Sequence, residues 1–349
     1  MLKSLKIGNL IAQIPIVQGG MGVGISLSKL AGAVAAEGGV GVISAAQPGF
    51  NWDGFQNNPL KANLEALAHH IKQAKERAKG GIIGVNIMCA INHYADYVKC
   101  AVENKADLII SGAGLPTNLP ALVKDSAVKI APIVSSVKAT SILLKLWDKK
   151  FDKKPDMIVV EGPKAGGHLG FTKTEAEELG CADYKEEVKG ILREVAMHTE
   201  DAPTIFAGGI YNRVDIDEYM ALGCAGVQMA SRFVATEECD ASENFKQAYI
   251  SAKTEDITIV KSPVGMPGRA LNNDFIKGLS SAKEKIEQCS RCIRGCDPKT
   301  IPYCITQALI NAALGKTNEG LIFCGSLVDR IKEITTVKKI FGELQYAPT

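Results

Sequence analysis

Very little in this chain of 349 residues marks it for a charged or apolar environment. Its formal net charge is only +2, which leaves no footprint for nucleic acid or an anionic membrane. No uninterrupted apolar run approaches the roughly 18–20 residues that a membrane span requires, so no membrane association is expected. The opening stretch MLKSLKIGNLIAQIPIVQGG has neither a sustained apolar core nor a small-residue cleavage site. That argues against a secretory signal and for a cytoplasmic location. Internal repeats and low-complexity tracts are missing too. What remains is an ordinary globular composition, 46% hydrophobic and 22% charged, long enough for one large barrel or two common domains.

Glycine is plentiful, with 34 copies, and it falls mostly where short apolar runs end. Those runs are PIVQGGM (15–21), GVGVISAAQ (39–47), IIGVNIM (82–88), LIISGAG (108–114), KIAPIVSS (129–136), MIVVEG (157–162), PTIFAGG (203–209) and GVQMAS (226–231). They are continuous rather than alternating, as strands buried on both faces are. Helical patterns lie between them, including 26–38, 64–78, 93–105, 185–199 and 214–223. Eight strands alternating with helices predict an α/β chain whose parallel strands close as a TIM (β/α)₈ barrel. A two-domain doubly wound arrangement is the alternative, but such sheets commonly stop near six strands. The rhythm breaks after Lys253. Residues 1–253 are therefore assigned to the barrel, 254–317 to a smaller cap, and 318–349 to a C-terminal helix that packs back on the barrel, patterned over 328–344.

Barrels of this kind carry their active sites at the C-terminal strand ends. Here those ends present Gly19, Gly20, Met21, Gln47, Asn86, Gly112, Gly114, Ser135, Glu161, Gly208, Gly209, Gln228, Ser231 and Arg232. Glycines admit a close backbone approach, and Asn and Gln offer both donor and acceptor, which suits a flat heterocycle with a polar edge. The loops FAGGI and MASRF stand where barrels commonly bind phosphate. Gly208, Gly209 and Ser231 are the candidates there, and Arg232 contacts either the phosphate or a carboxylate on the rim. His168 follows two glycines on the loop after Glu161, placed to act as acid, base or hydrogen-bond donor. His93 is a second candidate. His69 and His70 are expected to be solvated on a helix, and His198 to end one.

Ten cysteines in a chain read as cytosolic favour reduced thiols or metal ligation over disulfides. Four of them, Cys289, Cys292, Cys296 and Cys304, form a C-x₂-C-x₃-C-x₇-C pattern within EQCSRCIRGCDPKTIPYC. Four thiolates at this spacing suit an iron–sulfur cluster or a structural Zn²⁺. The alternative is a set of reduced cysteines in a helical cap.

The motifs PIVQGGM, GVNIM, SGAG, AGGHLG, FAGGI, VQMASRF and GMPGRALNN resemble, in order, those of the nitronate monooxygenase (2-nitropropane dioxygenase) family. That family includes the flavin-dependent enoyl-ACP reductase II enzymes, and the resemblance runs over roughly residues 10–275. It implies an FMN-dependent barrel with a smaller domain beside the flavin. It also implies that Gly20, Met21, Gln47, Asn86, Gly112, Glu161, Gly166, Gly167, Gly209, Gln228, Ala230 and Ser231 surround FMN. Gly208, on the same loop, is assigned with them. By the same resemblance His168 is the active-site histidine. One departure is Lys164, in GPKAGGH, where an acidic or neutral residue is expected. The implied substrate is a small alkyl nitronate or nitroalkane, oxidised through flavin. The alternatives are an enoyl-thioester reduced at the expense of NAD(P)H, and a flavin-binding protein without turnover. The C-x₂-C-x₃-C run resembles the cluster-binding run of other flavin reductases and would favour a reductase in an anaerobic setting. A homodimer is compatible with the exposed barrel face.

Overall fold

The apolar runs become eight parallel strands: β1 (Ile16–Gln18), β2 (Val40–Ser44), β3 (Ile82–Met88), β4 (Leu108–Gly112), β5 (Lys129–Val134), β6 (Ile158–Glu161), β7 (Thr204–Ala207) and β8 (Gly226–Met229). They pair in chain order, and β8 returns to β1, so the sheet closes. Closure excludes the doubly wound alternative. The structure is a computed structural model that describes residues 1–181, 184–279, 286 and 289–346.

Burial explains why these runs become strands. Every residue of β2 and β4 is buried, because helices cover the outside and neighbouring strands fill the inside. The β1–β2 seam is short, with only Val17 opposite Val40 in register. The Gln18 carboxamide reinforces it, donating to Val42 O at 3.2 Å and accepting from Val42 N at 3.0 Å. A hairpin of Leu5–Ile7 and Leu10–Ala12, absent from the sequence reading, contributes Leu5, Ile7 and Ala12 to the cluster of Val17, Val40, Leu108 and Ile205 inside the barrel.

The helices begin where their caps dictate. Asn58 accepts from Lys61 N with Pro59 at the first turn, so Pro59–Arg77 starts earlier than its apolar pattern. Ser136 caps Val137–Phe151, and Asn212 with Asp215 forms a capping box on Arg213–Ala221. Ser28–Ala36 borrows its cap from far along the chain. Asp240 accepts from Leu27 N, Lys29 N and Leu30 N at 2.9–3.3 Å. Burial still raises the Asp240 pKa against those three donors.

Beyond the barrel, β9 (Ile257–Lys261) and β10 (Pro267–Leu271) form an antiparallel hairpin, and the two-residue strand Gly167–His168 adds to β10. The 254–317 stretch therefore contains sheet that its turn-rich sequence conceals. The C-terminal helix is Val337–Gln345, shorter than the 328–344 pattern, since Val328–Arg330 is a separate 3₁₀ turn. Among the described residues no helix is long and apolar enough to cross a membrane.

Candidate active site

The strand ends converge on one cavity of about 240 Å³. Its wall includes Gly20, Met21, Asn86, Gly112, Glu161, Gly166, Gly167, His168, Gly208, Gly209, Gln228, Ala230 and Ser231. Gly19 and Arg232 also line it. Gln47 does not. It faces a separate small cavity, where its Oε1 accepts from Asn63 Nδ2 at 2.6 Å. Residues separated by most of the chain thus share a wall because each follows its own strand.

Several of the glycines are required by the protein's own packing. A Cβ at Gly20 would stand 2.3 Å from Asn86 Cβ, and one at Gly166 would stand 2.5 Å from the Cys324 carbonyl carbon. Gly208 and Gly209 have φ of +108° and +74°, which side chains rarely tolerate. The cavity wall at these points is consequently bare backbone.

His168 owes its position to the β9–β10 hairpin. Gly268 and Arg269 of β10 register with His168 and Gly167. His168 Nε2 shares a 2.7 Å hydrogen bond with Ser262 Oγ, just past β9. The imidazole meets Phe323 edge-on, with centroids 4.9 Å apart. Burial lowers its pKa to about 4, so the ring is neutral at physiological pH. Buried Arg269 braces the loop before it, donating to Pro163 O at 2.7 Å and Ala165 O at 2.5 Å.

Glu161 is shifted the other way. Burial raises its pKa to about 7, although Gly170 N, at 2.9 Å, Ser135 and Arg269 all favour the carboxylate. Two titratable groups in one cavity with pKa values displaced in opposite directions are a common signature of acid–base function.

Against the loop that leads to His168, Ser231 Oγ accepts from Gly325 N at 3.1 Å, and Ser326 N donates to Lys164 O at 3.2 Å. Ser326 Oγ is buried and has no hydrogen-bond partner among the described residues. Such an orphan hydroxyl beside bare glycine backbone suits a phosphate oxygen. The cavity thus fits a flat heterocycle carrying a phosphate. Gly325 and Ser326 were not anticipated from the sequence, although the apolar run LIFC ending in GS resembles the other strand-end signals.

The remaining candidates separate. Arg232 pairs with Glu343 at 2.5 Å and donates to Tyr211 O at 3.1 Å, satisfying the rim-carboxylate alternative. His70 is not solvated as expected. It meets Ser28 Oγ at 3.2 Å, and burial lowers its pKa to about 4. His93 is exposed, pairs with Asp96 at 3.1 Å and borders the small cavity beside Gln47. His198 ends its helix and meets Glu194 at 3.2 Å. Cys289, Cys292, Cys296 and Cys304 line a third cavity. Burial pushes the Cys292 thiol up to about 11.

The family model for nitronate monooxygenase matches residues 3–346. A probable nitronate monooxygenase of Staphylococcus aureus is 26% identical over 77% of this chain and 78% of its own length. A (3aS,4S,5R,7aS)-5-hydroxy-7a-methyl-1-oxo-octahydro-1H-indene-4-carboxyl-CoA dehydrogenase of Rhodococcus jostii is 24% identical over 76% of this chain, which spans 65% of that relative's length. Among solved structures, FabK from Thermotoga maritima superposes with a TM-score of 0.73 at 24% identity, covering 95% of this chain and 91% of its own. That likeness is one of fold. The chain belongs to the nitronate monooxygenase family of flavin-dependent oxidoreductases.

Proposed function

We propose that the cavity binds FMN and that the protein oxidises small alkyl nitronates. The observation that carries this reading is the convergence, in one cavity, of bare glycine backbone, Asn86 and Gln228, the orphaned Ser326 hydroxyl and a neutral histidine. Gly208, Gly209, Ser231 and Ser326 would hold the phosphate. Asn86 and Gln228 would meet the polar edge of the ring, and Gly20, Met21, Gly112, Gly166, Gly167 and Ala230 would shape its bed. Bound there, FMN supplies the electron acceptor.

The acidity of His168 favours one form of substrate over the other. A base whose conjugate acid has a pKa of about 4 is poorly matched to removing a carbon-bound proton at neutral pH. A nitronate arrives with that proton already gone. His168 then needs only to hydrogen-bond the nitro oxygens and orient the substrate, with the ring fixed by Ser262 and Phe323. Neutral nitroalkanes should therefore be much poorer substrates than their nitronates.

A second reading is an NAD(P)H-dependent reductase of enoyl-thioesters. The Rhodococcus relative favours it, being named for a carboxyl-CoA substrate. Anaerobic mixing of the flavin-loaded protein with an alkyl nitronate, and separately with NADH and NADPH, distinguishes the two. Bleaching of the flavin band by the nitronate alone is expected. Bleaching by NADPH or NADH, followed by reoxidation with an enoyl-CoA, would overturn the nitronate reading in favour of the reductase. No bleaching by any of them would leave a flavin-binding protein without turnover.

A further inference from the structure

The four cysteines of the C-x₂-C-x₃-C-x₇-C run face one space. Cys289, Cys292, Cys296 and Cys304 all line a cavity of about 490 Å³, which Ile286, Pro298 and Ile301 also border. Positions fifteen residues apart in sequence, from 289 to 304, are thus brought round a single apolar-walled void.

The loop carrying them is fixed to the barrel. Ile91 bridges Ile293, Asn92 N donates to Cys292 O at 2.9 Å, and Arg294 N donates to Ala90 O at 2.9 Å. Asn92 Nδ2 donates to Arg291 O at 2.6 Å, and Arg294 Nη2 to Cys89 O at 2.6 Å. All of these partners follow directly on β3. Cys304 stands at the start of the helix Ile305–Ala313. The cavity is apolar apart from the thiols, Asn92 and Arg291.

We propose that Cys289, Cys292, Cys296 and Cys304 ligate an iron–sulfur cluster in this cavity. The arrangement favours a cluster over one ion. The four thiols border a void of about 490 Å³, more than one ion would fill, whereas zinc needs its thiolates gathered at about 2.3 Å. A polynuclear cluster is held by cysteines distributed around it, as these surround a void. Arg291 on the wall offsets the negative charge of the thiolates.

The site also adjoins the active centre. Arg291, Cys292, Ile293 and Ile305 are shared with the small cavity beside Gln47, and that cavity shares His168, Met88 and Leu309 with the main one. A bound cluster would therefore stiffen a wall that leads to His168.

The test is metal and acid-labile sulfide analysis of the full-length protein. The protein is purified anaerobically and reconstituted with ferrous iron and sulfide, and electron paramagnetic resonance follows dithionite reduction. Iron and sulfide in equal amounts, each exceeding one per chain, together with a cluster signal, are expected. Cys296→Ser and Cys304→Ser should each lose most of the iron while retaining flavin. Zinc in place of iron would overturn the proposal, as would a metal-free wild-type protein or iron retained by both variants. The wild-type measurement decides even where a variant fails to fold, and a cluster found there would weigh toward the reductase reading.

Discussion

Replacing His168 by alanine is expected to lower nitronate turnover about 10²–10³-fold, the loss of one donor to the substrate oxygens, with flavin still bound. The cavity wall that would hold the phosphate, at Gly208, Gly209, Ser231 and Ser326, lies on other loops and does not contain the imidazole. The loss should fall on kcat as well as KM, because the ring orients the reacting group rather than merely holding the substrate. Ser262→Ala, which removes only the 2.7 Å partner of Nε2, should produce a smaller loss in the same direction. The profile should show no inflection near pH 6.5 from this histidine, since burial has moved its pKa to about 4. The linkage has a definite sign. A folded-state value below the unfolded one means that the unfolded chain takes up the proton first, so stability is lost as pH falls from about 6.5 to about 4. His168→Ala should blunt that acid sensitivity in a thermal melt. If turnover survives in the variant, the imidazole has no part in the chemistry.

Glu161→Gln should have the second large effect, and its sign is opposite. Burial holds the Glu161 pKa at about 7, so between about pH 4.5 and 7 the folded protein keeps a proton that the unfolded chain has released. Stability therefore falls as pH rises through that window. Glutamine keeps the shape and can still accept from Gly170 N, but it carries no charge. The variant should melt at nearly the wild-type temperature at pH 4.5. At pH 8 it should be more stable by something on the order of 2 kcal/mol, a figure reduced for solvent reaching the cavity mouth. Any step in kcat/KM near pH 7 should vanish with it. Parallel melting curves at the two pH values would refute the assignment of that carboxyl as protonated near neutrality.

The barrel was legible because burial on both faces leaves a signature that needs no partner to read. GVGVIS and LIISG are continuous apolar runs, and every residue of β2 and β4 is buried. The same logic made the glycine-rich strand ends legible, and the family resemblance added Gly166, Gly167 and Ala230. Elements that depend on distant partners were not. Pro267–Leu271 reads as turn because of GMPG, yet it is a strand that pairs with Ile257–Lys261 and with Gly167–His168. The support of His168 is thus written about a hundred residues beyond it. Asp240 caps the helix at Ser28 from about twice that distance along the chain. Gly325 and Ser326 are not legible, because a single apolar run outside the βα alternation carries too little pattern. Gln47 was drawn in by its strand-end position, but its left-handed backbone, at φ +50°, and its bond to Asn63 turn it to the neighbouring cavity. Helical spacing alone does not reveal that His70 Nδ1 meets Ser28 Oγ.

Whether the cavity at the strand ends holds FMN is tested by identifying the chromophore released on heating the purified protein. FMN at about one per chain is expected, in keeping with the single phosphate site proposed at Gly208, Gly209, Ser231 and Ser326. Release of FAD, or a colourless protein that takes up no FMN when it is supplied, would contradict that assignment.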